Sequence, residues 1–175
     1  MSAVASALPP DSRIADRYAG SHLADAFSVS LPLDAATDPE LLARHVFEQQ
    51  PPWIGRLMAL RDGLVRGFGI KTSKQLMNVR PDADRIGIFR IYERGANEIV
   101  LGEDDRHLDF RVSVLSRIEG AGDARAGRLV VTTAVQCHNL LGRTYLRLIT
   151  PFHRLVVASL LNHAAQRGWP RTTVR

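Results

Sequence analysis

Apolar and polar residues alternate with a period of two along much of the second half of the chain. In His107–Arg117, Leu108, Phe110, Val112 and Val114 are apolar, and His107, Asp109, Arg111 and Ser113 between them are polar. That is the mark of a strand with two unlike faces. The segments IGIFRIY, NEIVLG and RLVVTTAVQCHN read as further strands. Arg94-Gly95-Ala96, Glu103–Arg106 and the glycine-rich Glu119–Gly127 separate them, each short enough for an antiparallel hairpin. Upstream, His22–Leu33 predicts a first strand with Phe27, Val29 and Leu31 on one face.

The helical signals lie elsewhere. Thr37-Asp38-Pro39-Glu40 offers a capping side chain, a proline in the first turn and an acid, so a helix should start there. It should run to about Gln50 and bury Leu41, Leu42, Val46 and Phe47. Pro51-Pro52 ends it, and a second helix begins near Trp53, with Trp53, Leu57, Leu60, Leu64 and Phe68 as its core stripe and Gly67 and Gly69 as its stop. Residues 70–85 form an irregular connection containing Pro81. The last segment, from Leu140 to about Gly168, reads as one long helix with Leu141, Tyr145, Leu148, Phe152, Leu155 and Ser159 in a stripe. Pro151 predicts a kink or break near Leu148–Pro151, with Tyr145 and His153 beside the resulting cavity mouth. Residues 1–17 are small and unpatterned and read as a flexible leader. Residues 18–168 form one domain, and residues 169–175 a tail.

Hairpin chemistry sets the expected pairing. A two-residue turn at Asp104-Asp105 would place Leu101 beside Leu108, Ile99 beside Phe110, and Glu98 opposite Arg111 as a cross-strand ion pair. Across the glycine-rich loop, Arg117 opposite Arg128 would set Phe110 against Val135 and Leu108 against Cys137. The same parity gathers His107, Asp109, Arg111, Ser113, Thr132, Gln136 and His138 on the other face. Two readings stay open for that face. It is the solvent side of an antiparallel sheet, or a polar patch in a cavity with His107 or His138 as proton carrier, Asp109 as orienter and Arg111 as anion anchor.

Composition narrows the classes. The chain has 175 residues and a formal net charge of +5, with Lys71 and Lys74 its only lysines. No dense basic block suits nucleic acid, and no apolar run approaches the roughly 20 residues of a membrane-spanning helix. Neither nucleic-acid binding nor membrane insertion is expected. The N-terminus lacks the pattern of a signal peptide, and a single cysteine, Cys137, fits a reducing compartment; the expected location is cytoplasmic. Cys137 lies in an apolar strand and reads as a buried hydrophobe. A zinc set of His107, His138 and Asp109 matches no known ligand spacing, so neither a metal nor a cofactor is expected. Arg143, Arg147 and Arg154 lie near one side of the final helix, either as solvated surface or facing an anion.

Pro52-Trp53, Ile86-Gly87, the run Leu101–Arg111 (LGEDDRHLDFR), His138-Asn139, Gly142-Arg143 and Pro151-Phe152-His153 together resemble a bacterial family known only as domain of unknown function 2867. The resemblance runs from about Tyr18 to Arg167. The element order is similar to the helix-grip fold of the START-like, or SRPBCC, superfamily. It implies an α+β domain with a curved antiparallel sheet wrapped around a long C-terminal helix, two short helices after the first strand, and a mostly apolar cavity between sheet and helix. The expected function is therefore binding of an apolar small molecule (lipid-, polyketide- or aromatic-like) in that cavity, with Trp53, Arg111, Gln136, Tyr145, Phe152 and His153 as contacts. The alternative is a cyclase-, dehydratase- or hydrolase-type enzyme with His107, Asp109 and His138 as catalytic residues. Members of the family also look like the tail of larger short-chain-dehydrogenase-type proteins. A third reading is therefore an accessory domain meeting a protein partner such as a reductase.

Overall fold

The computed structural model describes residues 2–65, 84–119 and 126–171. Its strands are β1 (Val4–Ser6), β2 (Leu23–Leu31), β3 (Arg85–Ile86), β4 (Phe89–Arg94), β5 (Glu98–Asp104), β6 (Leu108–Glu119) and β7 (Ala126–Cys137). All pair antiparallel in one sheet, in the order β1-β2-β7-β6-β5-β4-β3. The helices are α1 (Pro39–Phe47), α2 (Pro52–Val65) and α3 (Leu140–Gln166), and a 3-10 turn spans Ala15–Arg17. The protein is thus α+β, with a long C-terminal helix against an antiparallel sheet.

Local chemistry explains the helix ends. The Asp38 side chain accepts hydrogen bonds from the Glu40 and Leu41 amides at 2.8 and 3.3 Å, and Pro39 follows it. This satisfies two of the amides that a first turn leaves open. α1 stops at Phe47, short of Gln50, and buries Leu42, Ala43, Val46 and Phe47 while Leu41 faces out. α2 opens on Pro52, where a proline needs no donor. Among its described side chains Ile54 is buried, Leu57 and Met58 are partly buried, and Trp53, expected in the core stripe, is exposed. The side chains of Leu60 and Leu64, and Gly67, Phe68, Gly69 and the connection up to Ala83, lie outside the described residues.

The Asn139 side chain caps α3 by accepting from the Gly142 amide at 3.0 Å, and Gly168, at a φ of 79°, ends it. Only glycine adopts that backbone geometry cheaply. The helix continues through Pro151, so the break that was one of the two outcomes expected near Leu148–Pro151 does not occur. α3 buries Gly142, Leu146, Val157, Leu160, Leu161 and Ala164. The stripe expected to be core points mostly away from the sheet, with Leu148, Phe152 and Leu155 exposed and Tyr145 only partly buried. The helix carries apolar residues on two opposite faces, so period alone does not choose the face that docks.

The register across β6 and β7 is as expected, with Arg117 opposite Arg128, Phe110 opposite Val135 and Leu108 opposite Cys137. Between β5 and β6 the parity holds but the register does not. Leu101 faces Val112, four positions beyond Leu108, and Asp104 faces Asp109. Asp105–His107 therefore connect the strands, and the turn is closed by the Asp105 amide on the Leu108 carbonyl at 3.1 Å. Arg111 falls opposite Gly102, and the expected Glu98–Arg111 pair is replaced by Arg111–Asp104 at 2.7 Å.

One face of the sheet carries the main core: Val29, Leu42, Ile99, Leu101, Val114, Leu129 and Leu161 are among its sealed side chains. Much of the other face is covered too. The N-terminal segment, expected as a leader over residues 1–17, supplies the edge strand β1 and then, from Leu8 to Ser21, crosses that face. β1 pairs with β2, Leu8 packs over Ala26, Leu115 and Val130, and Ile14 and Tyr18 pack over Val100 and Ala134. At the centre of this strap Glu98 is 2% exposed. Its carboxylate accepts from Ser12 Oγ (2.6 Å), Ser113 Oγ (2.5 Å) and the Arg13 amide (2.9 Å). No cation pairs with it among the described residues, so these donors replace water for a buried charge.

Ser12→Ala should lower stability by about 1–2 kcal/mol, the usual loss for a buried hydrogen bond to a charged group. Glu98→Ala should cost about 3 kcal/mol, because it strands two hydroxyls and an amide as well as opening a void. Urea melts measure both, and wild-type midpoints for the two variants would mean that the strap is not latched here.

Candidate functional site

The strap does not cover the whole outer face. Near the β5–β6 hairpin it leaves a cleft of about 230 Å³, lined by Asp16, Arg17, Gly20 and Ser21 of the strap and by Asp109, Arg111 and Gln136 of the sheet, among others. The sheet side is built by strand alternation. Asp109 and Arg111 on β6 share a face with Gln136 on β7, and Asp109 stands opposite Gln136.

Arg111 is the anchor of the cleft wall. It is 7% exposed, and its Nη1 donates to Asp104 Oδ1 at 2.7 Å and to the Phe110 carbonyl at 2.9 Å. Its guanidinium carbon lies 3.6 Å from the centroid of the Tyr92 ring. That ring is in place because β4 bulges: the pairing with β5 shifts between Ile91 and Glu93, and Tyr92 is the extra residue. Bulges commonly re-aim a side chain in this way. Gly102 makes room beside it, since a Cβ there would sit 3.0 Å from Arg111 Cδ and 2.3 Å from the Phe110 carbonyl oxygen. The neighbouring groups feel the charge. Burial pushes the Asp104 carboxyl up, but hydrogen bonds from Arg111 and Tyr92 and the charges of Arg111 and Arg17 outweigh it, so the net shift is down. Burial also raises the Tyr92 phenol, and its hydrogen bond to Asp104 adds to the rise while Arg111 opposes it.

Asp109 is held from two sides. Its Oδ1 accepts from the Asp105 amide at 3.1 Å, and its Oδ2 lies 2.9 Å from His138 Nε2. His107 turns elsewhere. It is buried, and its Nδ1 accepts from Asn139 Nδ2 at 3.0 Å at the start of α3. Gly142 makes that approach possible, because a Cβ there would fall 2.2 Å from the His107 carbonyl oxygen. Of the three residues expected to act together, Asp109 and His138 therefore meet, while the His107 ring bonds the helix cap. Among the described residues no three His, Cys, Asp or Glu side chains gather as a metal-binding group. Burial pushes the Cys137 thiol up, the charge of Arg143 only opposing it, which makes the thiol less reactive.

Of the six expected ligand contacts, Arg111 and Gln136 line this cleft. Trp53, Tyr145, Phe152 and His153 do not. Tyr145 packs partly buried beside Leu146 and Cys137, and His153 Nε2 reaches Asp25 Oδ1 at 3.1 Å under α3. Sequence reasoning missed Asp16, Arg17, Gly20, Ser21 and Tyr92. The first four belong to a segment with no period, and nothing in IGIFRIY marks a bulge. The one available signal was Glu98, an acid on the face that parity assigned to Val100.

A family model described as a protein of unknown function (DUF2867) matches residues 17–160. No curated protein and no solved structure matches the chain.

The depressed Asp104 carboxyl sets a pH dependence. A group whose folded pKa is lowered stabilises the protein above its unfolded value, near 3.8, and loses that contribution as the pH falls through the lower folded value. Asp104→Asn should therefore be less stable than wild type at neutral pH and flatter in its acid limb, the two converging in acid. Parallel curves across the acid range would show that Asp104 is not the carboxylate that holds Arg111.

Proposed function

We propose that this chain, which belongs to the DUF2867 family, binds a small molecule carrying a carboxylate or phosphate group in the cleft between strap and sheet. The observation that carries the reading is the state of Arg111. Asp104 and Tyr92 hold it rigidly, yet only Nη1 donates to protein among the described residues, which leaves Nε and Nη2 for a ligand at the cleft wall. A planar fork of that kind matches a carboxylate or phosphate edge. Arg17, across the cleft, has no ion-pair partner among the described residues and adds a second positive charge. Gln136 and Asp16 supply an amide and an acceptor, so the ligand also carries a hydrogen-bond donor. Preorganisation by the bulge and Gly102 reduces the entropy lost on binding.

A second reading keeps the apolar ligand between sheet and α3. We infer a helix-grip arrangement of the START-like kind from one antiparallel sheet, two helices after β2 and a long helix packed on β2 and β7. The observation that favours an apolar ligand there is that Phe110, Tyr145 and Ile149 remain only partly buried around Leu23, Leu108, Val135, Cys137 and Leu146.

Calorimetry with small carboxylates and phosphate monoesters, alongside fatty acids and aromatic probes, separates the two. The cleft reading predicts saturable binding of an anionic member that weakens about tenfold in Arg111→Lys, which keeps the charge and loses the fork. Binding of apolar probes alone, unchanged in Arg111→Lys and lost in Tyr145→Ala, would replace it with the second reading.

A further inference from the structure

The outward face of α3 is apolar where solvent should favour polar groups. Leu148, Phe152 and Leu155 are 64%, 50% and 56% exposed, and Leu140, at the start of the helix, is 76% exposed. At about 3.6 residues per turn, Leu148, Phe152 and Leu155 stand on one line, opposite Leu146, Val157, Leu160 and Ala164 that dock on the sheet. Contiguous exposed apolar side chains of this size mark an interaction surface more often than chance.

The charges that α3 itself carries are of one sign. α3 contains no Asp or Glu, and Arg143, Arg147 and Arg154 form an exposed row about a third of a turn around the helix from the apolar line. Among the described residues the only carboxylate in ion-pair distance of an α3 side chain is Asp25, which meets His153 at 3.1 Å and Arg154 at 3.6 Å. Arg143 and Arg147 have no such partner there. The chain as a whole carries +5.

We propose that this face of α3 docks the protein on an anionic lipid surface. Charge complementarity favours a negative occupant, and α3 of a second copy supplies none, since it carries no Asp or Glu. A protein partner would need a groove cut to fit three large side chains on a convex ridge, whereas the boundary between headgroups and acyl chains yields around any ridge. A line of Leu and Phe with arginines farther around the same helix is the composition of helices that lie in that boundary. No described helix is long and apolar enough to cross a membrane, so α3 lies on the surface with its other face still packed on the sheet. The proposal does not depend on what occupies the cleft on the opposite face.

Co-sedimentation with vesicles tests it, using phosphatidylcholine alone and an equimolar mixture of phosphatidylcholine and phosphatidylglycerol. The mixed vesicles should bind on the order of 100-fold more tightly, three arginines at roughly fivefold each. The gain should fall in about 0.5 M salt, where screening is strong. Leu148→Ser combined with Phe152→Ser should abolish binding with an unchanged melting temperature, because both side chains are exposed. Arg143→Glu with Arg147→Glu should do the same, while Arg90→Glu, on β4 away from α3, should change little. No binding to the mixed vesicles would overturn the proposal. So would binding that survives the serine variant, or that Arg90→Glu weakens as much as the α3 pair does.

Discussion

The outer half of this structure depends on one buried carboxylate. Glu98 has no cation beside it among the described residues, and it is sealed between the sheet and the strap. A carboxylate in that position is tolerable only if hydrogen bonds replace its lost water, and two of its three donors, Ser12 Oγ and the Arg13 amide, come from the strap. Without the strap, Glu98 would return to water and Val100, Leu115, Val130 and Ala134 would lose their cover. The polar group therefore fixes where the strap crosses, while Leu8, Ile14 and Tyr18 supply most of the favourable burial. Tyr18 shows the dryness of the layer. Its hydroxyl donates to the Pro9 carbonyl at 3.2 Å. Burial raises its phenol, the neighbouring Ser12 and Thr132 hydroxyls oppose the rise, and the nearby Glu98 charge adds to it.

From that placement the cleft follows. The strap turns at Ala15–Arg17 and reaches β2 at Leu23, and its far end stands off the sheet over Asp109, Arg111 and Gln136. The sheet contributes the ordered side, because the Tyr92 bulge and Gly102 let a long cation lie flat across the strands. The strap contributes Arg17 and Asp16. An antiparallel sheet usually leaves one face to water; here both faces are covered, and the site is what remains open between the second cover and the sheet.

Much of the fold was legible because its signals are local. Asp38-Pro39 marks a helix start by capping chemistry alone, and alternation over Leu108–Val114 gives the parity of β6 and, through Arg117 and Arg128, its register with β7. The β5–β6 register was misread because the turn centres on Arg106-His107, two positions later than Asp104-Asp105, where the Asp105 amide meets the Leu108 carbonyl and the Asp109 side chain. The docked face of α3 was misread for a different reason. Leu148, Phe152 and Leu155 repeat as regularly as Val157, Leu160 and Ala164, and only the shape of the sheet separates them. The strap was invisible because its contacts join Ser12 to Glu98 and Ser113, far apart in sequence, within a segment whose only strand is three residues long. The face with Arg111 was identified; its cover was not.

Amide hydrogen exchange at Arg13 tests the account most directly. That amide points at the Glu98 carboxylate and has no role in a helix or a strand ladder. If the latch closes the outer face, Arg13 exchanges slowly, with protection approaching that of the β6 and β7 amides. Exchange at the rate of an unstructured peptide would contradict the latch, and with it the cleft that the strap helps to form.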